Sequence, residues 1–124
     1  MEHSAGFLKL VNEAKEHIKE LSIQDVVQKQ ECGDELVLID TREDNEWEKG
    51  RIKGAIHLGK GVIERDVEAK IPDKNAEIVL YCGGGFRSAL AAEALQKMGY
   101  TNVSSMDGGI SGWREAKLPE DKSE

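Results

Sequence analysis

Cysteine is scarce in this chain of 124 residues, which contains only Cys32 and Cys82. The two form no Cys-x-x-Cys pair, and His3, His17 and His57 are scattered singly along the chain. The sequence therefore predicts neither a disulfide framework nor a zinc site, and we assign no ligand role to any histidine. Both thiols are expected to be reduced, as they are in the cytoplasm.

Long apolar runs and a surplus of basic residues are also lacking. No run approaches the ~20 apolar residues that a membrane-spanning helix needs, and the N-terminus lacks the basic start and apolar core of a secretory signal. The 17 basic residues are outnumbered by 24 acidic ones, which gives a net charge of −7. This balance argues against general binding to nucleic acid or to an anionic membrane. We expect a cytoplasmic protein with neither kind of partner.

What is present is an alternation of helical and strand patterns. Apolar residues at helical spacing predict an amphipathic helix over residues 7–21, and a capping box from Ser22 to Asp25 opens a second helix. Continuous apolar runs predict buried strands over residues 36–39 and 77–81. Further patterns predict short helices over residues 43–49, 62–71 and 111–116, a short strand after Gly54, a longer helix from residue 88 to Gly99, and a strand over residues 102–106.

This alternation, without a hairpin signal, indicates a single α/β domain with a mainly parallel sheet. The chain length is also right for one domain with its own core. We assign the domain to residues 22–119 and treat residues 1–21 as an N-terminal helical extension, which could pack on the domain or on a partner chain. The polar composition after Pro119 predicts a frayed tail over residues 120–124.

The most informative stretch is Tyr-Cys-Gly-Gly-Gly-Phe-Arg-Ser, residues 81–88, between a predicted strand and a predicted helix. Its three glycines allow positive φ angles, so the backbone can turn its N–H groups towards Cys82. The start of the helix and the Arg87 guanidinium add positive charge there. Because these features favour a thiolate, we interpret Cys82 as a nucleophile. The residues predicted to bind its substrate are Gly83, Gly84, Gly85, Phe86, Arg87 and Ser88.

Several of these residues also have a purely structural interpretation. A cysteine at a strand end is often only a core residue, Arg87 could tie down carbonyl groups, and Ser88 could cap the helix. Asp40 and Arg42 follow the strand over residues 36–39, at the edge where functional groups of open α/β sheets collect. We predict that both support the site, Asp40 through an ion pair or loop-fastening hydrogen bonds, while Arg42 could instead contact the substrate.

Several short motifs occur in an order that is typical of one family. They are Leu38-Ile39-Asp40-Thr41-Arg42, Glu46, Gly50-Arg51-Ile52-Lys53-Gly54-Ala55-Ile56, Tyr81-Cys82, Arg87-Ser88, Gly108-Gly109 and Gly112-Trp113. In this order and spacing they resemble a single-domain rhodanese, a rhodanese-like sulfurtransferase, over roughly residues 22–119. The resemblance implies a parallel five-stranded sheet flanked by helices, with the amphipathic N-terminal helix as an addition.

The resemblance also implies a reaction. Cys82 would take sulfane sulfur from thiosulfate or a low-molecular-weight persulfide, and the Cys82 persulfide would pass it to cyanide, another thiol or an acceptor protein. No metal or organic cofactor is implied, and we expect a monomer or a weak homodimer. The loop lacks the extra basic residue of thiosulfate-specialised members, and its small residues suit a bulkier persulfide donor or a protein partner. Arg51 replaces a histidine that many members carry, at a position that looks structural.

Two other functions stay open on the sequence alone. Cysteine-dependent phosphatases and arsenate reductases also use a thiolate in an arginine-closed anion loop. Phosphatases place five residues between the cysteine and the arginine, whereas four separate Cys82 from Arg87 here, and the smaller ring suits a terminal sulfur better. The other alternative is a non-enzymatic module that relays sulfur or binds a partner through its N-terminal helix.

Overall fold

The computed structural model describes residues 3–122. The strands are β1 (Lys19–Leu21), β2 (Leu36–Asp40), β3 (Arg51–Ile52), β4 (Ile56–His57), β5 (Glu77–Tyr81), β6 (Val103–Met106) and β7 (Glu120–Asp121). The helices are α1 (Ala5–Lys15), α2 (Ile23–Glu31), α3 (Asp44–Lys49), α4 (Ile63–Lys70), α5 (Phe86–Lys97) and α6 (Gly109–Glu115). None of the helices in this described range has the length and apolar character that a membrane crossing requires.

Five strands form one parallel sheet in the order β1-β6-β5-β2-β4. The middle strand, β5, is buried from Ile78 to Tyr81, which explains its continuous apolar sequence, since both of its faces are covered. The predicted α/β class and five-stranded parallel sheet are therefore confirmed. A separate antiparallel ribbon joins β3 to β7.

Successive residues of β5 point to opposite faces of the sheet and so enter two different cores. Ile78 and Leu80 pack with residues of α4 and α5 on one face, whereas Val79 and Tyr81 pack with residues of α2 and α6 on the other. Helix α1 packs against α5. The sheet is thus covered on both sides, and the carboxyl ends of its parallel strands are left to form a site at one edge.

The prediction of one helix over residues 7–21 is wrong in its second half. Helix α1 ends at Lys15, where the amides of Glu16 and His17 bond back to carbonyls three residues earlier. The chain then becomes extended, and β1 pairs in parallel with β6. This pairing satisfies backbone groups of β6 that would otherwise form an open edge, a long-range gain that a helical pattern does not reveal. The proposed boundary after residue 21 stays a prediction, although β1 belongs to the sheet.

The frayed tail is also wrong for the part that the structure describes. Glu120 and Asp121 pair with β3, and the Glu120 carboxylate accepts a hydrogen bond from Arg114 Nε at 2.9 Å. The Trp113 indole N–H donates to the Pro119 carbonyl at 2.9 Å, which holds the approach to this strand. The remaining parts of the predicted tail and extension, at residues 1, 2, 123 and 124, lie outside the described residues.

Candidate active site

The loop that carries Cys82 connects the end of β5 to the start of α5 and is held from behind by α6. The Cys82 carbonyl accepts the Ile110 amide at 2.9 Å, and the Gly83 carbonyl accepts the Ser111 amide at 3.1 Å. Gly109, with φ +55°, is required here because a Cβ at this position would collide with both carbonyl groups. The start of α6 therefore fixes the backbone of the loop.

Two backbone N–H groups point at the buried Cys82 sulfur. Gly85 N lies 3.2 Å and Ser88 N 3.4 Å from Sγ, and the Ser88 hydroxyl oxygen lies 3.5 Å away. That hydroxyl also hydrogen-bonds to the Ser105 hydroxyl at 2.8 Å. The predicted turning of N–H groups towards Cys82 is thus seen at two residues of the loop and the first turn of α5. These donors favour a negative charge on sulfur.

The expectation of positive φ angles along the glycine run is correct at one position only. Gly85 has φ +100° and precedes α5, whereas Gly83 and Gly84 adopt ordinary negative or extended conformations. A side chain at Gly85 would be strained by this angle, and its Cβ would lie 3.4 Å from the Gly108 amide nitrogen. The left-handed residue thus brings its own N–H to the sulfur and starts the helix.

Arg87 is paired with the carboxylate of Glu46, for which the sequence predicts no role in the site. Its Nη1 and Nη2 donate to Glu46 Oε1 and Oε2 at 2.8 and 3.2 Å, and each side chain is about one-third exposed. The hydrogen bonds with Arg87 lower the pKa of Glu46. The hydrogen bond with Glu46 raises the pKa of Arg87, and Cys82 makes a smaller contribution in the same direction. Glu46 was visible as part of the motif order, but nothing local linked it to the Cys82 loop.

Asp40 and Arg42 form a buried corner beside the site. Arg42 Nε lies 3.1 Å from both Asp40 carboxylate oxygens, its Nη2 donates to one of them at 2.8 Å, and the same Nη2 donates to the Gly50 carbonyl at 2.6 Å. Between them, Thr41 donates both its amide and its hydroxyl to the Tyr81 carbonyl at 2.9 Å, directly before Cys82. This arrangement favours support of the loop over substrate contact for Arg42.

A pocket of about 480 Å³ opens in front of the sulfur. Its lining residues are His3, Phe7, Glu46, Cys82, Gly84, Phe86 and Arg87. Of the predicted substrate-binding residues, Gly84, Phe86 and Arg87 line the pocket, while Gly85 and Ser88 contact the sulfur. Gly83 contributes its backbone carbonyl, which accepts the amide of Ser111 in α6. His3 and Phe7 come from the N-terminal segment and were not predicted.

The arrangement combines the Cys82 thiol with backbone donors for a negative charge. Within residues 3–122, no three or more His, Cys, Asp and Glu side chains form a group that could hold a metal ion. Cys82 is 1% exposed as a residue and is one of the residues that line the pocket. Such a site can perform nucleophilic attack and hold the resulting anion.

Comparison with known proteins identifies related sequences. The model of the rhodanese-like domain matches residues 22–116. YtwF of Bacillus subtilis, described provisionally as a sulfurtransferase, is 36% identical over 102 residues, which cover 82% of this chain and 96% of YtwF. GlpE of Shewanella oneidensis, named a thiosulfate sulfurtransferase, is 33% identical over 98 residues, which cover 79% of this chain and 94% of GlpE.

One solved structure is similar over almost the whole chain. RPA3614 of Rhodopseudomonas palustris has a TM-score of 0.86 and 29% identity, with 98% of each chain covered. It is described as a protein of unknown function and a candidate tyrosine phosphatase. The family match runs from α2 to α6 and includes four of the five strands of the parallel sheet and the Cys82 loop, and so it agrees with the resemblance seen in the motifs. The chain belongs to the family of rhodanese-like domains.

Proposed function

We propose that this protein is a sulfurtransferase, which moves sulfane sulfur from thiosulfate or a low-molecular-weight persulfide to a thiophilic acceptor through a persulfide on Cys82. One observation carries the proposal: the Gly85 and Ser88 amides point at Cys82 Sγ, at 3.2 and 3.4 Å, beside an open pocket. Donors that are already in place stabilise a negative sulfur without rearrangement. The sulfurtransferase names of the relatives YtwF and GlpE support sulfur transfer in general.

In the first half-reaction, the Cys82 thiolate attacks the outer sulfur of the donor. The bond between the two donor sulfurs breaks, and the leaving group takes the electron pair. The leaving group is sulfite when the donor is thiosulfate. It is a thiolate, which then takes up a proton, when the donor is a persulfide. In the second half-reaction, cyanide or another thiol attacks the outer sulfur of the Cys82 persulfide and restores the thiolate. Sulfur moves without net oxidation, so the balance of the reaction calls for no further reactant.

Arg87 is proposed to attract and orient the anionic donor. Its guanidinium lies at the pocket, and Glu46 holds its plane by two hydrogen bonds while offsetting part of its charge. The persulfide sulfur would extend from Sγ into the pocket, near the first turn of α5, whose N–H groups favour an anion. Ser88 adds a hydroxyl that hydrogen-bonds to the Ser105 hydroxyl.

The geometry gives less support to phosphatase chemistry. Four residues separate Cys82 from Arg87, and in the described part of the chain two backbone N–H groups point at the sulfur. A transferring phosphoryl group spreads its charge over three equatorial oxygens, and a loop of four residues has fewer backbone N–H groups to surround them than the five-residue loop of the phosphatases. Faster turnover of an aryl phosphate than of thiosulfate would reverse our preference for sulfur transfer.

Intact mass spectrometry tests the proposal directly. The purified protein is incubated with thiosulfate or, in parallel, with glutathione persulfide, and the modified peptide is then mapped. We expect a gain of one sulfur atom on Cys82. The Cys82→Ser variant should gain none, while Cys32→Ser is the matched control because Cys32 is exposed and lies at the end of α2. Full thiosulfate:cyanide activity in Cys82→Ser would refute the proposal.

The same protein samples separate an enzyme from a sulfur relay. An enzyme should release thiocyanate over many turnovers when cyanide is supplied with the donor. A non-enzymatic relay should form one persulfide per chain and pass its sulfur to small acceptors only very slowly. Rapid multiple turnover that disappears in Cys82→Ser supports the enzyme, and a stoichiometric persulfide without turnover supports the relay.

A further inference from the structure

The N-terminal segment supplies part of the pocket although it lies outside the family match, which begins at residue 22. His3 and Phe7 both line the pocket in front of Cys82. Helix α1 is held on the domain by Val11 and Ala14, which are 1% and 0% exposed. This segment is therefore a fixed part of the site.

The start of α1 is also locally ordered. The Ser4 hydroxyl accepts the Phe7 amide at 3.2 Å, which caps the helix. The His3 and Phe7 ring centroids lie 5.2 Å apart, and those of His3 and Phe86 lie 4.7 Å apart in an edge-to-face arrangement. The Phe7 and Phe86 centroids are 6.3 Å apart. These separations fall in the range of favourable aromatic pairs, so three rings from two separate helical regions form one wall, which we call the aromatic wall.

The charges around this wall are largely balanced. Arg87 is paired with Glu46. Lys15 lies 5.3 Å from the centre of the Phe86 ring, and its ammonium is 3.5 Å from the Glu20 carboxylate. Each of these two cations thus faces a carboxylate. A dianion such as thiosulfate gains less from paired cations than from free ones, whereas an apolar group gains from contact with the rings.

We propose that His3 and Phe7 determine donor specificity, by making the aromatic wall favour sulfane-sulfur donors that carry an apolar organic group over thiosulfate. The inference rests on the sulfur-transfer function proposed above. With an aryl thiosulfonate, the Cys82 thiolate attacks the outer sulfur, the bond between the two sulfurs breaks, and the arylsulfinate leaves with the electron pair. The aryl group then stays against Phe7 and Phe86 while the sulfur is transferred.

A matched pair of donors tests this specificity. Benzenethiosulfonate and thiosulfate deliver the same outer sulfur, but a phenyl group in the first replaces an oxide in the second. Thiocyanate formation with cyanide gives kcat/KM for each donor. We expect Phe7→Ala to lower kcat/KM for benzenethiosulfonate about tenfold and to change that for thiosulfate less than about twofold. His3→Ala should act in the same direction with a smaller effect.

Leu10→Ala is the control, because Leu10 lies on the same helix, is 57% exposed and does not line the pocket. It should leave the ratio of the two kcat/KM values unchanged. Phe7→Leu keeps an apolar side chain, so it preserves packing while removing the ring, and it should still lower the ratio. Equal loss with both donors, or no change in the ratio in Phe7→Leu and His3→Ala, would overturn the proposal.

A second measurement does not depend on sulfur transfer. The rates at which N-phenylmaleimide and unsubstituted maleimide modify Cys82 report whether the wall binds an aromatic group. Their ratio should fall severalfold in Phe7→Ala and stay constant in Leu10→Ala. If neither donor forms a Cys82 persulfide but this ratio falls, the proposed function fails while the aromatic wall is retained. An unchanged ratio would show that the aromatic wall does not bind an aromatic group, and would overturn the proposal.

Discussion

Arg42 and Arg87 each follow a strand of the parallel sheet and each holds a carboxylate through two nitrogens, yet the two pairs differ in burial and in their position relative to the pocket. The pair of Arg42 with Asp40 is 4% and 0% exposed, whereas the pair of Arg87 with Glu46 is 32% and 34% exposed. Only the second pair lines the pocket in front of Cys82. Similar chemistry at the same edge of the sheet has therefore produced two different kinds of ion pair.

The hydrogen bonds of the buried pair explain what it does. Asp40 accepts the Arg42 amide at 2.8 Å in addition to the guanidinium, and Arg42 also donates to the Gly50 carbonyl. Their donors and acceptors thus bind the β2 loop to the start of β3. A buried charge that loses its partner is costly, while an exposed pair contributes little to stability. From this difference we expect Arg42 to maintain the shape of this edge and Arg87 to contact a ligand.

The largest expected effect comes from breaking the buried pair. Arg42→Ala should lower the free energy of unfolding by ~3–5 kcal/mol, because the Asp40 carboxylate is left buried without its cation. Urea unfolding of both proteins measures this change. Arg87→Ala, the matched variant in the exposed pair, should cost less than ~1 kcal/mol. The double variant Asp40→Asn with Arg42→Met should cost less than Arg42→Ala alone, and equal costs for both single arginine variants would contradict the distinction.

The exposed pair should matter for the reaction instead. Arg87→Ala should slow formation of the Cys82 persulfide roughly tenfold or more, since a hydrogen bond to a charged group contributes ~1.5–3 kcal/mol. Single-turnover mass spectrometry with thiosulfate measures the rate. Arg87→Lys keeps the charge but loses the planar, two-point contact with Glu46, so it should recover only part of the rate. A persulfide rate unaffected by Arg87→Ala would assign this arginine to structure alone.

Most of the fold could be read from local sequence patterns. The continuous apolar runs gave β2 and β5 because strands that are covered on both faces need no alternation, and the Ser22 capping box gave the start of α2. Strands β1 and β7 could not be read in this way. Each is only two or three residues long and exists through its pairing with β6 or β3, which lie far away in sequence.

The residues of the site likewise fall into those that local patterns predict and those that only long-range packing places there. Cys82 and Arg87 were predicted because glycines, a helix start and a cation lie within seven residues of one another in the loop that carries them. Glu46, His3 and Phe7 were not assigned to the site. Their positions depend on how α3 and α1 pack against the domain, and no local pattern records that packing. Long-range packing, rather than residue type, limits what this sequence reveals about its pocket.

The free energy of unfolding should also depend on alkaline pH through Tyr81, which lies near the buried pair of Asp40 and Arg42. Burial raises the pKa of Tyr81 well above its usual value, and the nearby Asp40 carboxylate adds to the shift. Above about pH 10 the unfolded chain ionises this phenol while the folded protein keeps it neutral, so stability falls by up to ~1.4 kcal/mol per pH unit. Tyr81→Phe should show a shallower decline in urea unfolding between about pH 9 and about pH 11. Arg87→Ala should keep the wild-type slope, and identical slopes in wild type and Tyr81→Phe would refute this assignment.

The smallest effect is expected at the exposed pair in acid. Because Arg87 lowers the pKa of Glu46, the folded protein keeps this carboxylate ionised at pH values where the unfolded chain has already bound a proton. The pair's contribution is therefore present above the ordinary glutamate pKa of about 4.3 and is lost as the pH falls through the lowered value in the folded protein. Solvent screening limits it to less than ~1 kcal/mol. Urea unfolding of wild type and Glu46→Gln should differ by this amount near neutral pH and converge in acid. If the difference in the free energy of unfolding stays constant from neutral to acidic pH, Glu46 acts through its shape and neutral hydrogen bonds instead of its charge. The contrast with the buried pair would then rest on burial alone.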